Sequence, residues 1–210
     1  MKGSTMLWII AGLAVVGVAA WGPVVSSNVE HAKYDVVSSA GNIEIRDYAP
    51  HIVAEVTVSG ERKKAINQGF RLIADYIFGN NTASGKVAMT APVLQQPSEK
   101  IAMTAPVIQQ SSGSEWNVRF VMPTNYTLAT IPKPNNPAVT LHEVAGKRYA
   151  AIRFSGMAGE DTLKEKTDAL NAFIAEKKLR ALSTTTLAFY NPPWTLPFLR
   201  RNEVMVEIAK

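Results

Sequence analysis

The sequence predicts an α+β domain built from two strand–strand–helix–strand halves, with one apolar helix in front of it. Two observations lead to this fold class: an order of strands and helices that occurs twice along the chain, and an uncharged stretch near the N-terminus. Two such halves combine most simply as a curved antiparallel sheet that carries a helix on each half. At 210 residues the chain is long enough for one domain that folds without a metal or a disulfide.

The uncharged stretch, residues 6–25, predicts a membrane-spanning helix. No charged residue lies between Lys2 and Glu30, and about 20 apolar residues at about 1.5 Å each cross a hydrocarbon core of about 30 Å. Tryptophans lie near both ends of the stretch, as interfacial aromatic residues do. A cleavable signal peptide is the alternative, with small residues at 18–20 before the cleavage site.

The chain therefore divides into residues 1–28, an anchor or signal segment with a short tether, and residues 29–210, a folded domain. Lys2 and the free amino terminus form the basic flank, which favours an N-terminus on the cytoplasmic side. We expect the domain to face the periplasm or the exterior, or to be secreted if the segment is cleaved. The lipid bilayer is the partner expected for residues 6–25.

The first half contains two predicted strands and a helix. Apolar and polar residues alternate over residues 42–46 and 52–58, which is typical of strands with one buried face. A helix is predicted over about residues 61–78, because apolar residues that include Ile66 and Phe70 recur on one stripe.

The second half has the same order of elements. Two strands and a helix are predicted at residues 139–144, 148–154 and about 161–178. A Ser-Gly pair lies between strand and helix in both halves, at residues 59–60 and 155–156. From this order and spacing we predict an internal duplication. A final strand, residues 204–208, is expected to close the sheet.

A short repeat lies between the halves, in Lys86–Gln96 and Lys100–Gln110. Each copy contains Thr-Ala-Pro-Val and is predicted as an extended strand whose proline cannot donate to a ladder. The polar link between the copies would allow them to pair as a hairpin. We expect a flexible loop at residues 111–114 and a strand at 116–122.

Composition excludes several classes of function. The absence of cysteine removes disulfides, thiol nucleophiles, iron–sulfur clusters and covalent c-type haem attachment. No nucleophile–base motif, metal-ligand spacing or glycine-rich phosphate loop predicts an enzyme. The net charge of +5 is compatible with nucleic acid, but the basic residues occur in separated pairs and triplets, so we expect no nucleic-acid partner. Anionic lipid headgroups suit this charge better.

Several segments, in order along the chain, resemble the SOUL haem-binding proteins. They are Tyr34–Val37, Ile43–Tyr48, Gly69–Gly79, the two Lys-(Val/Ile)-Ala-Met-Thr-Ala-Pro-Val copies, Tyr190–Thr195 and Phe198–Val204. The resemblance covers nearly all of residues 34–210 and excludes the apolar stretch. It implies a distorted antiparallel β-barrel of pseudo-twofold symmetry flanked by two helices. It also implies non-covalent binding of haem or a related tetrapyrrole, as a carrier, buffer or sensor.

Haem presents an apolar disc, two propionates and an iron, so a binder requires an apolar cleft with one or two cations at its mouth. The resemblance implies a cleft beside the first helix and near the last strand pair. The candidate cofactor-binding residues are Arg62, Lys63, Ile66, Phe70, Arg71, Trp194 and Arg200. Guanidinium groups suit carboxylates because they bond them in a fork. Ordinary core packing and a solvated basic face are the alternative interpretation of the same residues.

An axial ligand to the iron is the least determined part of this site. The candidates are His51 and His142, followed by His31, Met89 and Met103. We expect His31 to lie exposed in the tether. Some animal members of the family have a histidine where this chain has Asp47, so binding through packing and propionate pairing, without a strong protein ligand, fits the sequence best.

The alternative function is an effector-binding or protein-interaction module that holds another apolar small molecule or a peptide. Visible absorbance after hemin addition separates the two functions. The sequence indicates no oligomeric state.

Overall fold

A computed structural model of the chain describes residues 29–83, 98–192 and 194–210. The membrane span predicted at residues 6–25 and the first repeat copy at residues 86–96 lie outside these residues. No helix among the described residues is long and apolar enough to cross a bilayer.

The described chain contains thirteen strands and two α-helices. The strands are β1 (Glu30–His31), β2 (Tyr34–Ala40), β3 (Ile43–Tyr48), β4 (His51–Ser59), β5 (Asn81–Thr82), β6 (Thr104–Ala105), β7 (Val107–Ser112), β8 (Glu115–Val121), β9 (Lys133–Pro134), β10 (Thr140–Val144), β11 (Arg148–Phe154), β12 (Thr186–Phe189) and β13 (Asn202–Ile208). The helices are α1 (Arg62–Ile77) and α2 (Glu160–Glu176), and a 3-10 turn covers Pro197–Leu199.

Nine strands form one antiparallel sheet in the order β10-β4-β8-β7-β12-β13-β11-β3-β2. The sheet curls into a half-barrel, because side chains from β4 and β10 near one edge and from β3 and β11 near the other line a single cavity on its inner face. The predicted α+β class, with two helices against a curved antiparallel sheet, is confirmed.

Helix α1 begins and packs as its sequence predicts. Glu61 caps it, since its carboxylate accepts hydrogen bonds from the amides of Lys63 and Lys64. The helix lies on β4 and β8. Gly69 faces the sheet at their closest approach, where a β-carbon would lie 2.7 Å from Val118 Cγ2.

Helix α2 lies on β11 and β13 in the other half of the sheet. Leu163, Leu170 and Ile174 are its buried residues, and their spacings of seven and four residues place them on one helix face. Glu160 and Asp161 in its first turn complement the positive end of the helix dipole. Each helix therefore covers its own pair of strands.

Pleating sends alternate side chains of each strand to opposite faces of the sheet. On the outer face, Val56 and Phe120 belong to the core under α1. On the inner face, Tyr48, Ala151 and Met205 form a separate cluster inside the curl. The outer, helix-bearing face and the inner face are thus distinct environments.

Two predictions about the middle and end of the sheet are wrong. The loop expected at residues 111–114 is a hairpin turn at Gly113 (φ +65°), and β7 continues through Ser112. The hairpin expected between the two repeat copies involves residues 86–96, which lie outside the described residues; within the second copy, β7 pairs with β8 and β12 on its two sides. Strand β13 lies between β12 and β11 instead of closing the sheet. Ser111 and Ser112 belong to β7 because they pair with Trp116 and Glu115 of β8.

Candidate functional site

One flank of α1 carries a basic and two apolar side chains in successive turns: Arg62, Ile66 and Phe70. Ile66 is half-buried and packs on the core under the helix. Phe70 remains 38% exposed although its ring lies 5.4 Å from that of Phe120. Apolar surface on this flank is thus continuous with the core but still open.

The hydrogen-bonding capacity of the Arg62 side chain, at the start of this flank, is only partly satisfied. Its Nη2 donates to Gln109 Oε1 at 3.2 Å, and its guanidinium carbon lies 5.9 Å from the centre of the Trp116 ring. Its Nε is buried and has no hydrogen-bond partner among the described residues. Burial lowers the pKa of Arg62, and the charges of Glu160 and Glu61 only partly oppose this shift. An additional carboxylate at this atom would complete the hydrogen bonding of a cation that is partly out of water.

Beside this flank the sheet has a seam between its two halves. The seam is the β7–β12 pair, which lies between the strands under α1 and those under α2. Val107 and Phe189 pair across it, and both are half-buried. We call this region the interhelical groove, defined by Arg62, Ile66, Phe70, Val107, Gln109 and Phe189.

Further cations surround the groove or lie behind it. Lys63, Lys64 and Arg71 are exposed, and no carboxylate of the described chain lies within ion-pair distance of them. Lys63 is adjacent to Arg62 at the mouth of the groove. Lys64 and Arg71 face away from the groove, in an open depression of about 660 Å³ on the outward side of α1. Among the described residues that line this depression, Leu72 is the only apolar one, so the depression does not suit a porphyrin face.

Trp194 and Arg200 belong to another element, the connection between β12 and β13. Trp194 is 79% exposed. Arg200 Nε donates to the Thr195 carbonyl at 2.7 Å, and its Nη1 lies 3.5 Å from Met157 Sδ. The seven predicted residues are therefore divided: Arg62, Lys63, Ile66 and Phe70 adjoin the groove, Arg71 lies behind it, and Trp194 and Arg200 lie on this connection.

The histidines predicted as axial ligands lie on the inner side of the sheet. His51 lines the inner cavity, with its Nδ1 2.9 Å from the Ala49 carbonyl oxygen. His142 pairs with Val53, which also lines that cavity, and its Nε2 is 4.0 Å from Glu55. Since α1 lies on the outer face, a ligand in the interhelical groove has no direct path to either imidazole.

His31 differs from its prediction, because it is half-buried and held in place. Strand β1 pairs with β6, and the His31 ring lies 5.6 Å from the Tyr190 ring. Burial lowers its pKa, with a further contribution from the charge of Arg201. Met103 is 43% exposed, and Met89 lies outside the described residues. Within the described part of the chain, no three His, Cys, Asp or Glu side chains form a cluster suited to a metal ion.

The inner cavity is small. Tyr48, His51, Arg119, Tyr149 and Met205 are among its lining residues, and its volume is about 40 Å³. Pockets for small organic ligands have volumes of about 300–1,000 Å³. As folded, this cavity does not accommodate a porphyrin.

A buried ionic network near this cavity was not predicted from the sequence. Arg46 Nη1 and Nη2 donate to the two Glu203 oxygens at 2.7 and 3.1 Å, and Arg201 Nε donates to Glu203 Oε1 at 2.9 Å. Tyr190 also donates to Glu203. Burial would raise the pKa of Glu203, but the hydrogen bonds and charges of Arg46 and Arg201 lower it below its usual value. Strand alternation places Arg46 on a polar face, but only the curl of the sheet makes that face an interior.

Comparison with solved structures supports the fold. The EcmrR C-terminal domain aligns with a TM-score of 0.57 at 8% identity, over 84% of this chain and 98% of that one. An uncharacterized conserved protein from Listeria innocua aligns with a TM-score of 0.51 at 14% identity, over 80% of this chain and 92% of that one. At these identities the likeness concerns the fold alone. No curated protein matches the chain. The family profile described as SOUL heme-binding protein matches residues 29–207.

Proposed function

Because this chain belongs to the SOUL heme-binding protein family, we propose that it binds haem or a related tetrapyrrole non-covalently, in the interhelical groove. A family described by binding suggests a carrier, buffer or sensor in preference to an enzyme. The observation that carries the assignment of the site is the buried Nε of Arg62, which has no partner among the described residues.

The residues of the groove suit the chemistry of haem. Ile66, Phe70, Val107 and Phe189 offer apolar surface that is only partly covered, and burial of such surface is the main driving force for binding a flat apolar disc. Arg62, with Lys63 beside it, offers donors for propionates, and hydrogen bonds to charged groups contribute about 1.5–3 kcal/mol each. The porphyrin ring would supply the Soret absorbance by which binding is measured.

The proposed mode of binding uses no histidine ligand. His51 and His142 lie on the side of the sheet away from α1, so we propose that packing and propionate pairing hold the ligand. Arg71, Trp194 and Arg200 have no direct contact with the ligand in this proposal.

We also propose that residues 1–28 tether the domain, residues 29–210, to a bilayer through the apolar stretch at 6–25. The domain then faces the periplasm or the exterior. Cleavage of the stretch as a signal peptide would instead release it. The support is the hydropathy of the sequence.

We further propose that the domain arose by internal duplication. From the seam outwards, the strand order is β7, β8, β4, β10 on one side and β12, β13, β11, β3 on the other. Each helix follows the strand that is third from the seam, β4 in one half and β11 in the other. This symmetry of order supports a pseudo-twofold relation between the halves.

The experiment is a hemin titration of residues 29–210, after cooperative unfolding of this fragment has been verified by circular dichroism. We expect a saturable Soret shift at one-to-one stoichiometry. Arg62→Glu should raise the Kd about 10- to 100-fold, the equivalent of one lost charge-assisted hydrogen bond. The double variant His51→Ala, His142→Ala should leave the Soret position unchanged.

Arg180→Glu is the matched control, since it reverses an exposed charge after α2 and should leave the Kd unchanged. An unaltered hemin spectrum with a folded fragment would refute haem binding and favour the effector-binding or interaction module. Equal affinity of Arg62→Glu and wild type would refute the groove while leaving haem binding in place.

A further inference from the structure

An exposed apolar loop follows β12 on the way to β13. We define the apolar loop as residues 194–199 together with Met157, which lies beside it. Trp194, Phe198 and Met157 are 79%, 70% and 63% exposed. Leu196 and Leu199 are each more than one-third exposed. A monomeric soluble protein rarely leaves a contiguous patch of this kind in water, so the loop is expected to contact a partner.

The loop is held in one shape by hydrogen bonds, although its apolar side chains are exposed. The Gly156 amide donates to the Pro197 carbonyl at 2.8 Å, and the Asn202 side chain donates to the Gly156 carbonyl at 3.1 Å. Thr195 in the loop is buried, and its amide donates to the Pro192 carbonyl. The apolar side chains therefore point outward from a fixed backbone. Because the backbone is already ordered, burying these side chains against a partner costs little additional chain entropy.

The position at which the chain enters the domain indicates that this partner is the bilayer. His31 lies against the ring of Tyr190, and the loop begins four residues after that tyrosine. Residues 26–28 are all that separate the predicted span from Val29. Four extended residues reach at most about 14 Å. With residues 6–25 in a bilayer, its surface therefore lies within about 14 Å of Val29, close to the part of the domain where His31 contacts Tyr190.

We propose that the apolar loop lies in the interfacial region of the same bilayer that holds the N-terminal span, with Trp194 and Phe198 inserted among the lipid headgroups. Trp194 favours this depth because its ring meets apolar chains while its indole N–H meets water, and Phe198 adds apolar area that is buried there. Exposed Lys33 near the entry point adds a cation that anionic headgroups attract. This inference rests on the tether proposed above and fixes the orientation of the domain on the membrane.

The absence of cysteine allows a direct test on the full chain. Phe198→Cys is labelled with the environment-sensitive fluorophore NBD and reconstituted into vesicles of phosphatidylcholine and phosphatidylglycerol. The control is Leu182→Cys, because Leu182 is 50% exposed and lies before β12, at the opposite end of that strand from the loop. Doxyl-labelled lipid should quench the probe at 198 at least about twice as strongly as the probe at 182, as expected for a side chain at interfacial depth.

Flotation of the same samples separates the possible failures. Equal quenching at both positions, with protein that floats with the vesicles, overturns the loop contact and leaves the tether intact. Protein that does not float overturns the tether and the loop contact together. Haem binding is read independently from the Soret titration of residues 29–210.

Discussion

The buried and half-buried arginines of this domain differ in how far their hydrogen bonding is satisfied. Arg46 is buried against Glu203 and also bonds Glu44 and Tyr48. Arg62 is half-buried, bonds only a neutral amide, and keeps one buried donor unpaired among the described residues. A fully paired buried charge serves the fold, whereas an incompletely paired one at the edge of an apolar groove is available to an anion.

The Glu203 network should give a stability that depends on pH. The pKa of Glu203 is lowered in the fold, so its contribution is complete above the unfolded pKa of about 4.3 and is lost as pH falls through the folded value. Glu203→Gln should reduce the free energy of unfolding at pH 7 by about 3 kcal/mol, because Arg46 and Arg201 both lose their buried carboxylate partner and Arg46 keeps only the partly exposed carboxylate of Glu44. Urea unfolding of both proteins from pH 7 to pH 3 measures the difference, which should shrink below about pH 4.3.

Glu165→Gln is the control for this experiment. Its carboxylate forms an exposed pair with Lys166, and such pairs contribute about 0–1 kcal/mol. A difference between Glu203→Gln and wild type that stays constant down to pH 3 would contradict the ionic account of the network.

At the scale of elements, the candidate site depends on how closely α1 approaches the sheet. A β-carbon at Gly69 would meet Val118 at 2.7 Å and Val56 at 3.1 Å, and both valines are fully buried. Gly69→Ala should therefore lower stability by about 1–2 kcal/mol, since overpacking costs about 1–3 kcal/mol and the gain in helix propensity returns up to about 1 kcal/mol. Thermal unfolding followed by circular dichroism measures the change.

Gly159→Ala is the matched control. Gly159 precedes α2, has φ −70°, and a β-carbon there meets nothing within 4 Å. We expect its melting temperature to stay within a degree or two of wild type, because Gly159 is the N-cap of α2 and the lower preference of alanine for that position is opposed by the lower chain entropy that alanine gives the unfolded state. A Gly69→Ala protein as stable as this control would mean that α1 can move away from the sheet.

Elements with a strong local pattern could be predicted from the sequence, and those set by distant partners could not. The helix predicted over residues 61–78 is Arg62–Ile77, because a capping carboxylate and an apolar stripe both act within a few residues. Strand β7 extends two residues beyond its prediction, to Ser112, because Ser111 and Ser112 pair with Trp116 and Glu115 of β8. Likewise, β13 could not be placed between β12 and β11 from its own residues.

At the scale of the whole molecule, the curl of the sheet divides the predicted site residues. Helix periodicity and the family resemblance together pointed to Arg62, Ile66 and Phe70, which adjoin one groove. No pattern along the chain indicates on which face of the sheet a helix will lie, so the histidines on the inner face could not be separated from the cations on the outer one. The incomplete hydrogen bonding of Arg62 is equally a tertiary property, because it depends on Gln109 and Trp116.

The two faces of the sheet provide the most direct test of the central claim, that the tetrapyrrole lies in the interhelical groove. Methyl NMR spectra of residues 29–210 are compared at one equivalent of hemin, whose iron is paramagnetic, and of diamagnetic zinc protoporphyrin. Ile66 reports on the groove and Met205 on the inner cavity. Our account predicts that hemin broadens the Ile66 δ1 methyl signal and leaves the Met205 ε methyl signal unchanged. Broadening of Met205 with an unaffected Ile66 would place the ligand inside the curl and contradict it.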